Sequence, residues 1–282
     1  MKILHAYKGY DQYVEHQKKK TEDPVRRKKW LNEEWDLKLN GFKEIFSNLL
    51  ESSVLKKKQR ALCIGARTGQ EIVALRDLDL EALGIDIVPH KDLVLEGDMH
   101  KLQFEDNSFD FVFSNVFDHS LHPEKMVSEI ERVLKVDGHC LIQFQLKIPS
   151  DEYSENEIES IDHDVLSLFE QSKIVHSESI NHNFAGMNWE ILMQKDEVLS
   201  NLFAEVGRIS ELSVPKEYKQ IWNDINLPIQ IQKGKNHNLN KKYLDECLNK
   251  LHKRAYYLVS IANFIGAKNI LEVGTAQGWQ YY

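Results

Sequence analysis

Residues 61 to 69 read Ala61-Leu62-Cys63-Ile64-Gly65-Ala66-Arg67-Thr68-Gly69. Ala61 to Ile64 is a short apolar run of the length expected for a buried strand. Gly65 opens a tight turn and Gly69 closes it. From Gln70 to Leu78 the spacing becomes helical, with Ile72, Val73 and Leu75 apolar and Glu71 and Arg76 charged. Strand, glycine turn and helix form a unit that brings backbone N–H groups and a helix N-terminus up to a ligand. Asp86 stands twenty-one positions after Gly65, at the end of a second apolar run, Leu83-Gly84-Ile85. A carboxylate at that interval can take both hydroxyls of a nucleoside ribose.

Outward from this unit, strands and helices alternate from 60 to 146. The pattern predicts strands at Ala61 to Ile64, Ala82 to Asp86, Leu93 to Leu95, Phe109 to Asn115 and His139 to Phe144. The last follows a turn at Val136-Asp137-Gly138. A helix is expected over Pro123 to Leu134, with Met126, Ile130, Val133 and Leu134 on one face. Crossovers rather than hairpins join these strands, so the predicted fold is α/β: a Rossmann-like, doubly wound, mostly parallel sheet. Two β-like runs, Lys173 to Ser179 and Met187 to Gln194, should form an antiparallel pair at one edge, and a helix is expected over Val165 to Gln171.

Upstream, Tyr10, Tyr13 and Val14 lie at helical spacing. Residues 1–24 are expected to form a helical cap, either packed on the domain with Lys18-Lys19-Lys20 solvated, or closing as a lid over the ligand. Pro24 suits the first position of the next helix. Residues 25 to 55 predict a long helical region with Gly41 as a bend or break, ended in solvent by Lys56-Lys57-Lys58.

Composition excludes some classes. Across 282 residues, 36 basic side chains face 44 acidic ones for a net charge of −8, which argues against general affinity for nucleic-acid phosphates. Cys63, Cys140 and Cys247 are far apart and imply neither a disulfide framework nor a zinc cluster. No apolar stretch is long enough to span a bilayer, and the N-terminus lacks a signal-peptide core, so a cytoplasmic protein is expected.

Further stretches sharpen the reading: Glu96-Gly97-Asp98-Met99, Ser108-Phe109-Asp110-Phe111-Val112-Phe113-Ser114-Asn115, and Glu129 to His139. With the glycine turn and Ile85-Asp86, they make residues 25–196 resemble a class I S-adenosylmethionine-dependent methyltransferase of the small-molecule branch. The resemblance implies S-adenosyl-L-methionine as cofactor. It implies that Gly65, Ala66, Arg67 and Gly69 approach its methionine part, that Asp86 and the adjoining Ile87 bind the ribose side, and that Asp98 accepts from the adenine amino group. Met99 would lie on the adenine plane and Asn115 would face the reactive end. Two positions depart from the family: Cys63 stands where an acid is frequent, and Arg67 where a glycine is. Arg67 would repel a sulfonium unless it turns away or pairs with an acid.

Methyl transfer needs a positioned nucleophile and often a base. His119 can be that base and Asp118 can orient it, or both can simply serve the start of the helix near Pro123. His182, Phe117, Phe184 and Trp189 are further pocket candidates. His100, His119 and His122 do not form a recognised ligand set, so no metal is expected. The acceptor is expected to be a small molecule, through a hydroxyl of a sugar or metabolite. The alternative is a non-catalytic cofactor-fold module serving assembly in a larger protein. A nicotinamide-dependent oxidoreductase is disfavoured by the Glu96-to-Met99 run.

Residues 197–238 read as a linker with helical pieces. Residues 239–282 read as an amphipathic helix followed by Asn269-Ile270-Leu271-Glu272-Val273-Gly274-Thr275-Ala276-Gln277-Gly278. That run resembles the first strand and glycine turn of a second, incomplete domain of the same class. An unpaired strand in this C-terminal extension would offer an edge for a homodimer.

Overall fold

A computed structural model describes residues 1–149, 151–181 and 186–201, together with residue 204. Met1–Ser200 is one compact unit. The readings placed on His182, Phe184 and residues 205–282, including the second glycine turn and the extension's homodimer edge, lie outside the described residues.

The elements follow in chain order: β1 (Lys2–Ile3), α1 (Tyr10–Glu22), α2 (Pro24–Lys28), α3 (Trp35–Glu51), β2 (Arg60–Ile64), α4 (Gln70–Asp77), β3 (Glu81–Asp86), β4 (Val94–Glu96), β5 (Phe109–Ser114), α5 (Pro123–Val133), β6 (Leu134–Phe144), β7 (Asn156–Glu157), α6 (Ile161–Asp164), β8 (Ser172–Ser179) and β9 (Trp189–Lys195). The main sheet has seven strands in the order β4-β3-β2-β5-β6-β9-β8. Its first four pairings are parallel; β6–β9 and β8–β9 are antiparallel. The doubly wound sheet with an antiparallel edge pair is therefore present as expected.

The alternation of side chains along β2 divides the core. Ala61 and Cys63 point into an apolar layer with Phe42, Ile45, Phe46 and Leu49 of α3 and Ile72, Ala74 and Leu75 of α4. Leu62 and Ile64 point the other way, into a layer with Met126, Val127, Ile130 and Val133 of α5. Both faces are covered, which is why the central strands read as continuous apolar runs. Phe46 meets Phe111 and Phe113 edge to face, with ring centroids 6.0 and 5.3 Å apart.

Several boundaries differ from expectation. Residues 25 to 55 are not one helix: a π-helical turn, Lys29–Glu33, separates α2 from α3. Gly41 sits inside α3 without breaking it, and α3 ends at Glu51, before the lysine run. The helix expected over Val165 to Gln171 is instead α6 and a 3-10 turn at Leu166–Leu168. The turn at Val136-Asp137-Gly138 is absorbed into β6, where the register shifts between Phe109 and Phe111 of β5 and Asp137 takes φ 64°. Asp23 caps α2, its carboxylate accepting from Val25 N and Arg26 N, and Pro24 opens the helix as expected.

Candidate active site

The C-terminal ends of β2, β3 and β5 surround a pocket with an open volume of about 480 Å³. Gly65, Arg67, Asp86, Ile87, Gly97, Met99 and Val116 form its floor and walls. Helix α1 roofs it with Tyr13, Gln17, Lys20 and Thr21, and His119 closes one side.

The floor depends on backbone that only glycine adopts cheaply. Gly65 has φ +76°, and a Cβ there would stand 2.3 Å from Val116 Cγ2. Gly69, with φ +88°, precedes α4 as its N-cap. Asp86 ends β3 and is buried. Its Oδ2 accepts from Arg67 N at 3.1 Å and its Oδ1 from Val88 N at 3.0 Å. Each oxygen keeps a second acceptor direction, so the carboxylate fixes the turn and can still receive a ligand hydroxyl. Burial pushes its pKa up; the two backbone N–H groups and Arg67 oppose that.

A second pocket, of about 420 Å³, shares Arg67 with the first. Lys38, Ala66, Thr68, Gln70, Glu71 and Asn115 line it beside Trp30 and Phe42. The Arg67 guanidinium lies over the Trp30 ring, 5.3 Å from its centroid. Cys63 is wholly buried in the apolar layer, where burial raises its thiol pKa. Glu71 is a buried acid on this side, 5% exposed. Burial lifts its carboxyl to about 7 against the pull of Arg67 and Lys38.

That shift has a sign. Because the folded-state value lies above the ordinary 4.5, the folded chain holds more protons than the unfolded chain between pH 4.5 and about 7. The stability associated with protonated Glu71 is full below that window and is lost as pH rises through it. Glu71→Gln should flatten the dependence and raise stability above pH 7 by about 3 kcal/mol at most. Denaturant unfolding of both proteins from pH 4.5 to 8 measures it; parallel curves would disprove the assignment.

Near the roof the polar contacts run differently from the sequence reading. His119 Nδ1 lies 2.8 Å from Tyr153 O, and its Nε2 lies 2.9 Å from Lys20 Nζ. This geometry places the ring proton on Nδ1, donating to the carbonyl, and leaves Nε2 as acceptor from the ammonium. Asp118 Oδ1 stands 4.0 Å from His119 Nε2, beyond hydrogen-bond reach, and Asp118 Oδ2 accepts from Ser154 Oγ. The Tyr153 carbonyl thus holds the Nδ1 side of the His119 ring. Burial lowers the His119 pKa, with Asp118 raising it and Lys20 lowering it.

Lys20 is 7% exposed, so the lysine run is not wholly solvated. Its Nζ is 2.8 Å from Asp151 Oδ2. Burial first, then Arg67, lower its pKa to about 8, against the pull of Asp151. Tyr13, Gln17, Lys20 and Thr21 recur at helical spacing, a stripe visible in the sequence but polar enough to pass as surface.

The remaining expected residues divide between the two pockets. Gly65, Arg67, Asp86, Ile87 and Met99 line the first, and Ala66, Arg67 and Asn115 the second. Asp98 is outside the first pocket's lining. Its Oδ2 accepts from Tyr10 Oη at 2.7 Å, and its Oδ1 accepts from His100 N at 2.8 Å. Phe117 is core, and the Trp189 indole N–H donates to Ser177 Oγ. His100 Nδ1 faces Asp98 and its Nε2 faces Ser120 Oγ.

Residues 62–142 match the family model described as a methyltransferase domain. Over that span the chain carries a methyltransferase domain, with S-adenosylmethionine as its cofactor. A 1,6-didemethyltoxoflavin-N1-methyltransferase from Burkholderia thailandensis, solved with 1,6-didemethyltoxoflavin and S-adenosylhomocysteine bound, has the same fold. It is 14% identical, with a TM-score of 0.53 over 70% of this chain and 94% of that one. An S-adenosylmethionine-dependent methyltransferase from Aquifex aeolicus is 18% identical over 53% of this chain and 88% of its own, with a TM-score of 0.43. The YcgJ protein from Bacillus subtilis is also 18% identical, over 53% of this chain and 97% of its own, with a TM-score of 0.42. No curated protein sequence matches the chain. The methyltransferase domain's matched span runs from β2 into β6 and so includes the turn, Asp86 and His119, while α1 lies before it.

Proposed function

We propose that this methyltransferase acts on a small molecule bound under α1, through a hydroxyl of a sugar or metabolite. The observation that carries the proposal is the roof: Tyr13, Gln17, Lys20 and Thr21 confine the pocket above the glycine turn. A concave pocket with polar groups converging from its roof and floor suits a small acceptor rather than a macromolecular surface.

The residues present fit the cofactor. Asp86 offers free acceptor directions to ribose hydroxyls, and Ile87 and Met99 offer apolar faces to adenine beside the Gly65 turn, where Val116 packs in the place of a Cβ. In the second pocket Lys38 and Arg67 suit a carboxylate and Glu71 suits an ammonium, which supplies the acid missing at Cys63. Stacking on Trp30 is how Arg67 turns aside. When bound, S-adenosylmethionine supplies an electrophilic methyl group on its sulfonium.

The chain's own residues handle the acceptor and its proton. Lys20, with its lowered pKa, is partly neutral at pH 8 and can take a hydroxyl proton on Nζ. Asp151 then faces the resulting ammonium at 2.8 Å. His119, held by the Tyr153 carbonyl, offers Nε2 to the same proton once Lys20 swings off it, with Asp118 as a nearby negative charge. Helix α1 excludes water above them.

Calorimetric titration with S-adenosylhomocysteine, then a tritiated-methyl screen over hydroxylated metabolites, tests the reading. Binding with transfer to at least one of them is expected. Binding without transfer to any small molecule would favour the second reading, a non-catalytic cofactor-fold assembly module. Two departures support that reading: Cys63 and the cation Arg67 in the turn. The two free, buried thiols of Cys63 and Cys140 suit a reducing, cytoplasmic setting.

A further inference from the structure

The Glu155 carboxylate is buried where three pieces of chain meet. Its Oε1 accepts from Tyr7 Oη at 2.8 Å and Gln17 Nε2 at 2.7 Å, and stands 3.2 Å from His16 Nδ1. Its Oε2 is sealed from solvent without a hydrogen-bond partner. So is His5 Nδ1, and these two orphaned atoms face each other at 3.6 Å. Buried polar atoms are rarely left so, and an anion least of all.

The separation is too long for a hydrogen bond but suits two ligands of one ion. Atoms bound about 2.0–2.1 Å from a tetrahedral zinc stand roughly 3.4 Å apart. His5 Nδ1 stands 3.6 Å from Glu155 Oε2 and His16 Nδ1 3.2 Å from Oε1, both near that edge, and the Tyr7 hydroxyl, 2.6 Å from His16 Nδ1, would give way to the ion. One ligand atom from each of His5, His16 and Glu155 can be chosen so that all lie within 4.8 Å of one another. We propose that His5, His16 and Glu155 form a binding site for a divalent transition metal of the zinc class, with the fourth position open to water. Two imidazoles and one carboxylate select zinc over magnesium or calcium, which take oxygen donors. Tyr7 and Gln17, donating to the same carboxylate, hold it in orientation as outer partners do.

The position gives the ion a task. His16 belongs to α1, the roof of the pocket. Leu4 N donates to Glu155 O, and Glu155 N donates to Asp118 O, next to His119. An ion here fastens the N-terminal segment and α1 to the loop that carries Asp151 and Tyr153, and so holds Lys20 against His119.

The test uses the untagged full chain, stripped with a chelator and titrated with Zn²⁺ by calorimetry and with Co²⁺ by visible absorption. Wild type should bind one ion that His5→Ala and His16→Ala weaken by at least about 100-fold, more than loss of an outer partner costs. His176→Ala, which alters the separate surface group of His176, Glu178 and Glu190, should keep that ion. Zn²⁺ should also raise the melting temperature of wild type and not of His5→Ala. The His5 side chain is 36% exposed, so its replacement leaves the packing in place when Glu155→Gln disturbs it. Equal stoichiometry and affinity in the His5→Ala/His16→Ala double variant, or no Zn²⁺ uptake by wild type at millimolar concentration, would overturn the proposal.

Discussion

Asp86→Asn should weaken S-adenosylhomocysteine binding by about 100-fold, because hydrogen bonds to a charged group are worth about 1.5–3 kcal/mol each and the amide keeps only one acceptor oxygen. The two backbone bonds, Arg67 N to Oδ2 and Val88 N to Oδ1, compete for that oxygen in the variant. The turn should loosen as well, so the melting temperature must be read beside the affinity. Saturating ligand recovers a melt lost only through weakened binding, by mass action. Unchanged affinity in a folded Asp86→Asn protein would mean that the ribose does not meet this carboxylate, and the pocket assignment would fail.

Lys20→Met should slow methyl transfer by about 10²–10⁴-fold, the usual worth of a positioned base, while leaving S-adenosylhomocysteine affinity near that of wild type. Wild-type turnover should rise with pH through about 8 as Lys20 loses its proton, and the variant should lack that limb. The effect on folding has the opposite bookkeeping from Glu71. Lys20 titrates lower in the folded chain than its ordinary 10.5, so between pH 8 and 10.5 the unfolded chain binds more protons. Wild-type stability therefore gains from this group as pH rises across that window, and Lys20→Met should remove the gain. A variant with an unaltered pH–rate profile would show that the proton goes elsewhere.

Much of the fold is legible along the chain. The turn from Gly65 to Gly69 announces itself because positive φ demands glycine there and the flanking runs change period from strand to helix. Helix α5 is legible for a related reason: Met126, Ile130 and Val133 are apolar at helical spacing and all fully buried. The roof was harder. Gln17, Lys20 and Thr21 are buried yet polar, and apolar periodicity cannot report a buried polar stripe. The π-helical turn at Lys29–Glu33 was invisible because Trp30, Leu31 and Trp35 keep an apolar rhythm across it. Asp98 shows the limit of reading along a chain. Its neighbours mark a ligand-binding strand end, while its partner Tyr10 lies 88 positions away. His5, His16 and Glu155 are likewise scattered, with no spacing pattern to join them.

Helix α1 is joined to the body chiefly by polar contacts: Tyr10 to Asp98, Tyr13 to the His119 carbonyl, Gln17 to the Tyr153 carbonyl and Lys20 to Asp151. Helix α3, by contrast, is seated by four buried apolar side chains. Water can replace a polar joint at far smaller cost than an apolar one. Amide protons in α1 should therefore exchange with deuterium well before those of α3, through openings that leave the sheet intact. Such openings would uncover the pocket beneath α1 while the strands and their helices stay paired.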